Sequence, residues 1–345
     1  MIVYWIDKYL KDEDISVVEY KLVKDLEPSF QPEFTICFDA PLIEEKLNQI
    51  NSTISNQKYL QYLTGKIQGD AIYRSIEYDN VTIHLSEYVD LFALNGKFKD
   101  GKEYKQCLNI DKCPLGTIRN TVNIFIKSQI YKCFGIKPEE PYISGASGIN
   151  IIFNRKMRKL LPKLGTVYMG FNFPQQRLLD YPVSQYWSHL DKTGYYEWFK
   201  VTTVELLKRR NKRSEPCSIE WKELDDWILK RHIQDIGCRA PYIKAYEDFP
   251  ICDTKTKMEQ SIFSWADDPG STYPIPCEGA SNIGYTFSSM AISTLDISRM
   301  DPSSLILYVS YTSKMKTITQ SRLIDGHALV GYIGGYVGLL LGIIR

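Results

Sequence analysis

His327–Arg345 reads HALVGYIGGYVGLLLGIIR, and from Ala328 to Ile344 no residue carries a charge. A helix needs about 20 such residues to cross a bilayer, so the run has nearly the required length. Its glycines are spaced in fours: Gly331 and Gly335, then Gly334, Gly338 and Gly342. Residues four apart share a helix face, and glycines there leave a smooth stripe that a second helix can approach closely. Glycine costs a helix roughly 1 kcal/mol per site relative to alanine, so five of them need a packing reason. A membrane helix packed against copies of itself supplies one. A glycine-rich helix buried in a soluble core is the plainer alternative.

The remainder of the chain is ordinary in composition. Its 345 residues are 44% hydrophobic, enough for one large core or two smaller ones. A net charge of +1 gives no electrostatic basis for binding nucleic acid. Eight cysteines stand at positions 37, 107, 113, 133, 217, 238, 252 and 277, none in a CxxC pair. With only four histidines this argues against a zinc framework and for disulfides. Two sequons, Asn51-Ser52-Thr53 and Asn80-Val81-Thr82, fit glycosylation in a secretory compartment. The N-terminus, MIVYWIDKYLKDED, turns acidic too soon for a signal peptide or a membrane helix. We therefore expect a fragment whose first membrane segment lies upstream; insertion by the C-terminal tail alone is the other route.

Hydrophobic patterning predicts a mixed α+β architecture. Strands are expected over Ile15–Val23, Phe34–Phe38, Thr166–Phe171 and Ser304–Tyr311, the last apolar enough to be central in its sheet. Val81–Leu85 alternates like a half-buried strand, Pro41–Tyr62 has helical spacing, and Cys107–Cys133 reads as loop and strand. Ser218–Ile236 places Trp221, Leu224, Trp227, Ile228 and Ile236 near one helical face, with acids early and Lys230 and Arg231 late, an order that suits the helix dipole. A shorter helix is expected over Lys255–Trp265. Gly145-Ala146-Ser147-Gly148 has no lysine at Walker spacing and reads as a turn.

The run Ile333-Gly334-Gly335-x-x-Gly338-Leu339-x-x-Gly342 resembles the opening of the second membrane helix in the degenerin, epithelial sodium channel and acid-sensing channel family. Pro32-Glu33-Phe34-Thr35-Ile36-Cys37 resembles the strand that follows that family's first membrane helix, with Gln31 in place of a phenylalanine. Gly237-Cys238-Arg239-Ala240-Pro241-Tyr242, followed by Phe249-Pro250-Ile251-Cys252, resembles its thumb segment. The resemblance implies a hand-shaped ectodomain over residues 15–326, with a β-sheet palm, a finger and a helical thumb over about 217–277. A wrist segment, residues 1–14, precedes it, and residues 327–345 begin a second transmembrane helix. It also implies Cys37–Cys133, Cys107–Cys113, Cys217–Cys277 and Cys238–Cys252 disulfides, a pairing that eight cysteines alone leave open among 105.

By the same resemblance the chain is a subunit of a trimeric, sodium-preferring, amiloride-sensitive cation channel of the plasma membrane. Its partners are the membrane and two further subunits, and permeant sodium takes the place of a cofactor. The pore stripe then contains Gly338 and Gly342, and the filter triplet aligns with Gly342-Ile343-Ile344, where the family has Gly-x-Ser. Two isoleucines there form a narrow apolar ring that opposes ion entry. Ala328 aligns with the pore-mouth position that requires a small side chain. Tyr4 or Trp5 is placed to bridge the first helix to the thumb, although the thumb position that would receive it holds Ser214. Arg210-Asn211-Lys212-Arg213 fits a basic protease site, with a solvated basic strand as the simpler account. The rings of Tyr186, Trp187, Tyr195, Tyr196, Trp198 and Phe199 read as core or subunit-interface packing. No nucleophile, base and orienting acid occur at recognisable spacing, so no enzyme is expected. A non-conducting, membrane-anchored binding protein is the competing class, and a lipid-anchored precursor that loses its tail is a third.

Overall fold

A computed structural model describes residues 2–22, 33–39, 41–97, 102, 104–108, 110–126, 129–138, 144–160, 163, 167–172, 195–212, 214–218, 230–243, 246–261, 275–291, 305–311 and 314–343. Its centre is β13 (Leu305–Tyr311), the run expected to be central. Leu305, Ile306, Leu307 and Val309 are all buried, because both faces of this strand are covered. β13 pairs antiparallel with β7 (Ser144–Phe153) and parallel with β9 (Tyr195–Lys208). The sheet continues from β7 to β3 (Val89–Lys97) and β4 (Tyr104–Cys107). On the other side β9 pairs with β14 (Lys314–Arg322), which pairs with the edge strand β1 (Asp14–Leu22). β12 (Glu278–Ala291) also pairs with β9, off this path. A second sheet has the order β5 (Gly116–Ile126), β6 (Gln129–Pro138), β2 (Glu33–Asp39), β8 (Val167–Asn172).

Gly145–Gly148 is not a turn but part of β7. A β-carbon at Gly148 would lie 2.3 Å from the Tyr308 ring, so glycine is needed for that ring to cross the strand. Val81–Leu85 is not a strand either. It lies between the two short 3-10 turns Tyr78–Val81 and Leu85–Glu87, with an isolated bridge at Thr82. Val81, Thr82 and Ile83 are all fully buried, since Ile83 packs into the sheet core and Val81 into a second, helix-lined core. Covered on both sides, the segment gains nothing from alternation. Lys132 of β6 is buried beside it, its Nζ donating to Thr82 Oγ1 at 2.7 Å and lying 3.3 Å from an Asp79 carboxylate oxygen.

The second core joins α2 (Glu44–Ile50), α3 (Asn56–Leu63) and α4 (Ala71–Ser75) to the cysteine-bracketed segment. α5 (Arg155–Leu160) follows β7. Within 217–277 the structure describes α6 (residues 230–236) and α7 (Lys255–Ser261). The expected positions Trp221, Leu224, Trp227 and Ile228 lie outside the described residues, as does Trp265. Ile233, Cys238, Tyr242 and Met258 pack with Tyr59, Tyr62 and Leu63, and Gln68 ties the layers by donating to Asp253 O and accepting from Lys255 N. The short strands β10 (Cys217–Ser218) and β11 (Ile275–Pro276) close this segment in parallel.

All eight cysteines are bridged, as Cys37–Cys133, Cys107–Cys113, Cys217–Cys277 and Cys238–Cys252. These are the pairs that the resemblance implies, and Cys37 and Cys133 face each other across the β2–β6 ladder. The result is a disulfide-rich α+β fold, of a kind suited to an oxidising compartment.

Candidate functional site at the junction of the terminal helices

Two helices leave the same end of the β1–β14 ribbon. α1 (Ile2–Leu10) precedes β1, and α8 (Gly326–Ile343) follows β14. The ribbon brings them together because Asp14 lies opposite Arg322, and Leu323 N donates to Glu13 O one step further on. The chain reverses out of α1 at Asp12, which has a left-handed φ of +53°. Among residues other than glycine, aspartate and asparagine accept this conformation at the least cost.

Asp12 is also the centre of an ion-paired clasp. Arg210, just past the end of β9, reaches across β14 and donates to Asp12 Oδ1 at 2.8 Å, to Asp12 O at 3.0 Å and to Asp14 Oδ1 at 2.9 Å. Lys212 pairs with Asp14. Arg322 lies over the Tyr9 ring, 3.8 Å from its centroid, and donates to Tyr9 O at 2.6 Å. Its Nε is 2.9 Å from Asp12 Oδ1, a charge contact without hydrogen-bond alignment. Lys8 completes the corner by donating to Glu13 at 2.5 Å.

These contacts set the protonation states. The Arg210 hydrogen bond, helped by the Arg322 and Lys212 charges, holds the Asp12 carboxyl below its ordinary value. Burial pushes Asp14 upward, but the hydrogen bonds from Lys212 and Arg210 outweigh it, so its value is lowered too. The Asp12 hydrogen bond raises Arg210, and the Glu13 hydrogen bond raises Lys8. Both carboxylates therefore stay charged through neutral and mildly acidic pH. The clasp fixes where β1, β9 and β14 end relative to the helices.

Trp5 of α1 stacks on Tyr332 of α8, with ring centres 4.4 Å apart and planes within 10°. The first helix is thus bridged to the last one at this ring, where the resemblance had placed a thumb contact; Ser214 is exposed. Asp325 caps α8 by accepting from Ala328 N at 2.6 Å, which puts the expected pore-mouth residue in the first turn. Ala328, Leu329, Ile333 and Tyr336 are half-buried on the side of Tyr332. At about 100° per residue, Gly331, Gly334, Gly338 and Gly342 point away from that side, and Gly335 falls at its margin near Ala328. A β-carbon added at any of them would meet nothing within 4 Å.

α8 has 18 residues and so rises about 27 Å, short of the roughly 30 Å hydrocarbon layer. Among the described residues no helix is long and apolar enough to cross a membrane. Gly338, Gly342 and Ile343 lie in its last turns; Ile344 is outside the described residues. Asn51 and Asn80 are both at the surface. Thr53 donates to the Asn51 carboxamide oxygen at 2.6 Å, while Thr82 of the second sequon is buried.

Sequence reading missed the clasp. Its two halves were visible only as an acidic N-terminal run and a basic Arg210–Arg213 run, 196 residues apart at the Asp14–Arg210 bond. Nothing local says that they meet. Asp325 was findable, as a capping residue directly before an apolar helical run. Of the aromatic group, Trp198 is half-buried, packs on Tyr308 and donates to Ser310 Oγ at 2.7 Å. Tyr186 and Trp187 lie outside the described residues. No cluster that could hold a metal ion occurs among the described residues.

No family model and no curated protein sequence matches the chain. Among solved structures it is similar to a proton-activated chloride channel determined by cryo-EM, at 6% identity over 99% of this chain and 87% of that one. The TM-score is 0.24, too low for the likeness to carry an argument.

Proposed function

We propose that this chain is a pore-forming subunit of a trimeric, sodium-preferring, amiloride-sensitive cation channel, its disulfide-bonded body outside the plasma membrane. The observation that supports it best is the orientation of α8. One side of that helix is occupied by α1 through Trp5–Tyr332, and Gly331, Gly334, Gly338 and Gly342, turned away from it, have open space before them. A stripe of that kind suits close approach by further copies of α8 around a narrow path, with Gly338 and Gly342 along it. Backbone carbonyls near the constriction would then replace part of the hydration shell of sodium. In this reading the clasp transmits displacement of the palm strands to both helices at once, because β1, β9 and β14 all end in it. The sequence resemblance supplies the ion and the stoichiometry.

The Gly342-Ile343-Ile344 triplet favours a second reading, a membrane-anchored binding protein that does not conduct. Voltage-clamp recording decides between them, with the full-length protein expressed alone and with related subunits. An amiloride-blocked inward cation current supports the channel. Surface protein without current in any combination overturns it and leaves the anchored binding protein.

A further inference from the structure

We infer that the Trp5–Tyr332 stack marks the bilayer–water boundary, and that this surface takes lipid without preference for anionic headgroups. The inference rests on the reading of the chain as membrane-anchored and adds the depth and the lipid chemistry. Its basis is the order of side chains along the two paired helices. On the far side of the stack α8 carries no charge through Ile343, and Val337, Leu339, Leu340 and Leu341 are exposed. On α1, Val3 is 78% exposed. At the stack itself the rings with polar tips gather: Tyr4 and Trp5 of α1, Tyr332 and Tyr336 of α8. Rings with an apolar body and a polar tip favour the headgroup level. On the palm side the charges of α1 begin at once, with Asp7, Lys8 and Lys11 and then the clasp, while α8 stays uncharged back to Ala328.

This graded sequence along α1, apolar to aromatic to charged, beside the exposed apolar end of α8, is the profile of an interface with lipid. The cations nearest the boundary already have partners: Lys8 is bound to Glu13, and Lys11 to Asp7 at 2.8 Å. A free basic residue near an anionic membrane raises partitioning about fivefold. With an acid beside each lysine the local net charge is near zero, and that increment is small.

The test uses the 345-residue chain, disulfides intact, reconstituted into phosphatidylcholine vesicles with bromine atoms at shallow or deep acyl positions. Shallow bromines should quench a component of tryptophan emission that disappears in Trp5→Phe. Moving the indole by one position, Tyr4→Trp in the Trp5→Phe background, should restore that component and exclude a folding defect. Replacing about a fifth of the lipid with phosphatidylserine should change partitioning by less than about fivefold. Three results overturn the inference: quenching unchanged by Trp5→Phe, stronger quenching of Trp5 by deep bromines, or Trp5 shielded from lipid by a second copy. Absence of current with this quenching pattern intact would defeat the channel reading alone.

Discussion

β1 and β13 are both short runs rich in β-branched and aromatic residues, yet they have opposite environments. Leu307 and Val309 of β13 are fully buried, whereas Ile15, Val17, Val18 and Tyr20 of β1 are 44%, 45%, 48% and 75% exposed. The difference is position. β13 has a partner strand on each side and both faces covered, while β1 is the outer strand of the sheet. Burial of a leucine side chain contributes about 1.5–3 kcal/mol, which the centre of the sheet gains and its edge does not. What holds the β1 end is charge: the clasp of Asp12 and Asp14 with Arg210, Lys212 and Arg322. The interior of the large sheet supplies stability, and the junction supplies geometry.

The contrast can be broken most strongly at its centre. Leu307→Ala should cost about 2–5 kcal/mol in chemical denaturation, because a cavity adds to the lost transfer energy. Replacing Cys238 and Cys252 together by serine should cost about 3 kcal/mol, mostly by loosening the unfolded chain, with unfolding monitored by α-helical circular dichroism. Gly148→Val should lower stability by about 1–3 kcal/mol through its clash with Tyr308; a companion Tyr308→Ala change should recover part of the loss. Val17→Thr at the exposed edge should stay within about 0.5 kcal/mol of the parent. A larger loss there would mean that the edge is covered in solution.

The smallest expected effect concerns pH. Asp12 and Asp14 have values below the ordinary 3.8, so their contribution is complete above that value and lost as pH falls through their lower folded values. Hydrogen-exchange protection of residues 2–14, corrected for intrinsic rates, should therefore be the same at about pH 7.5 and about pH 5 and fall only below about pH 4. Arg322→Ala should reduce it at every pH while moving the melting temperature little. Loss of protection already at mild acidity would show that another group controls the junction.

The sequence alone determined the α+β class, the central strand within Ser304–Tyr311, the helical character of Pro41–Tyr62 and the apolar glycine helix at the C-terminus. These follow from local periodicity and from turn and cap chemistry, which neighbouring residues carry. The cysteine pairing came from resemblance, since spacing left it open. Only the tertiary structure decided that Gly145–Gly148 is a strand under the Tyr308 ring, that Val81–Ile83 is covered from two cores, and that β1 is exposed. It alone brought Asp12 and Asp14 to Arg210 and Trp5 to Tyr332. The reason is common to all of these: a side chain's environment depends on what is packed over it, and those partners lie tens to hundreds of residues away.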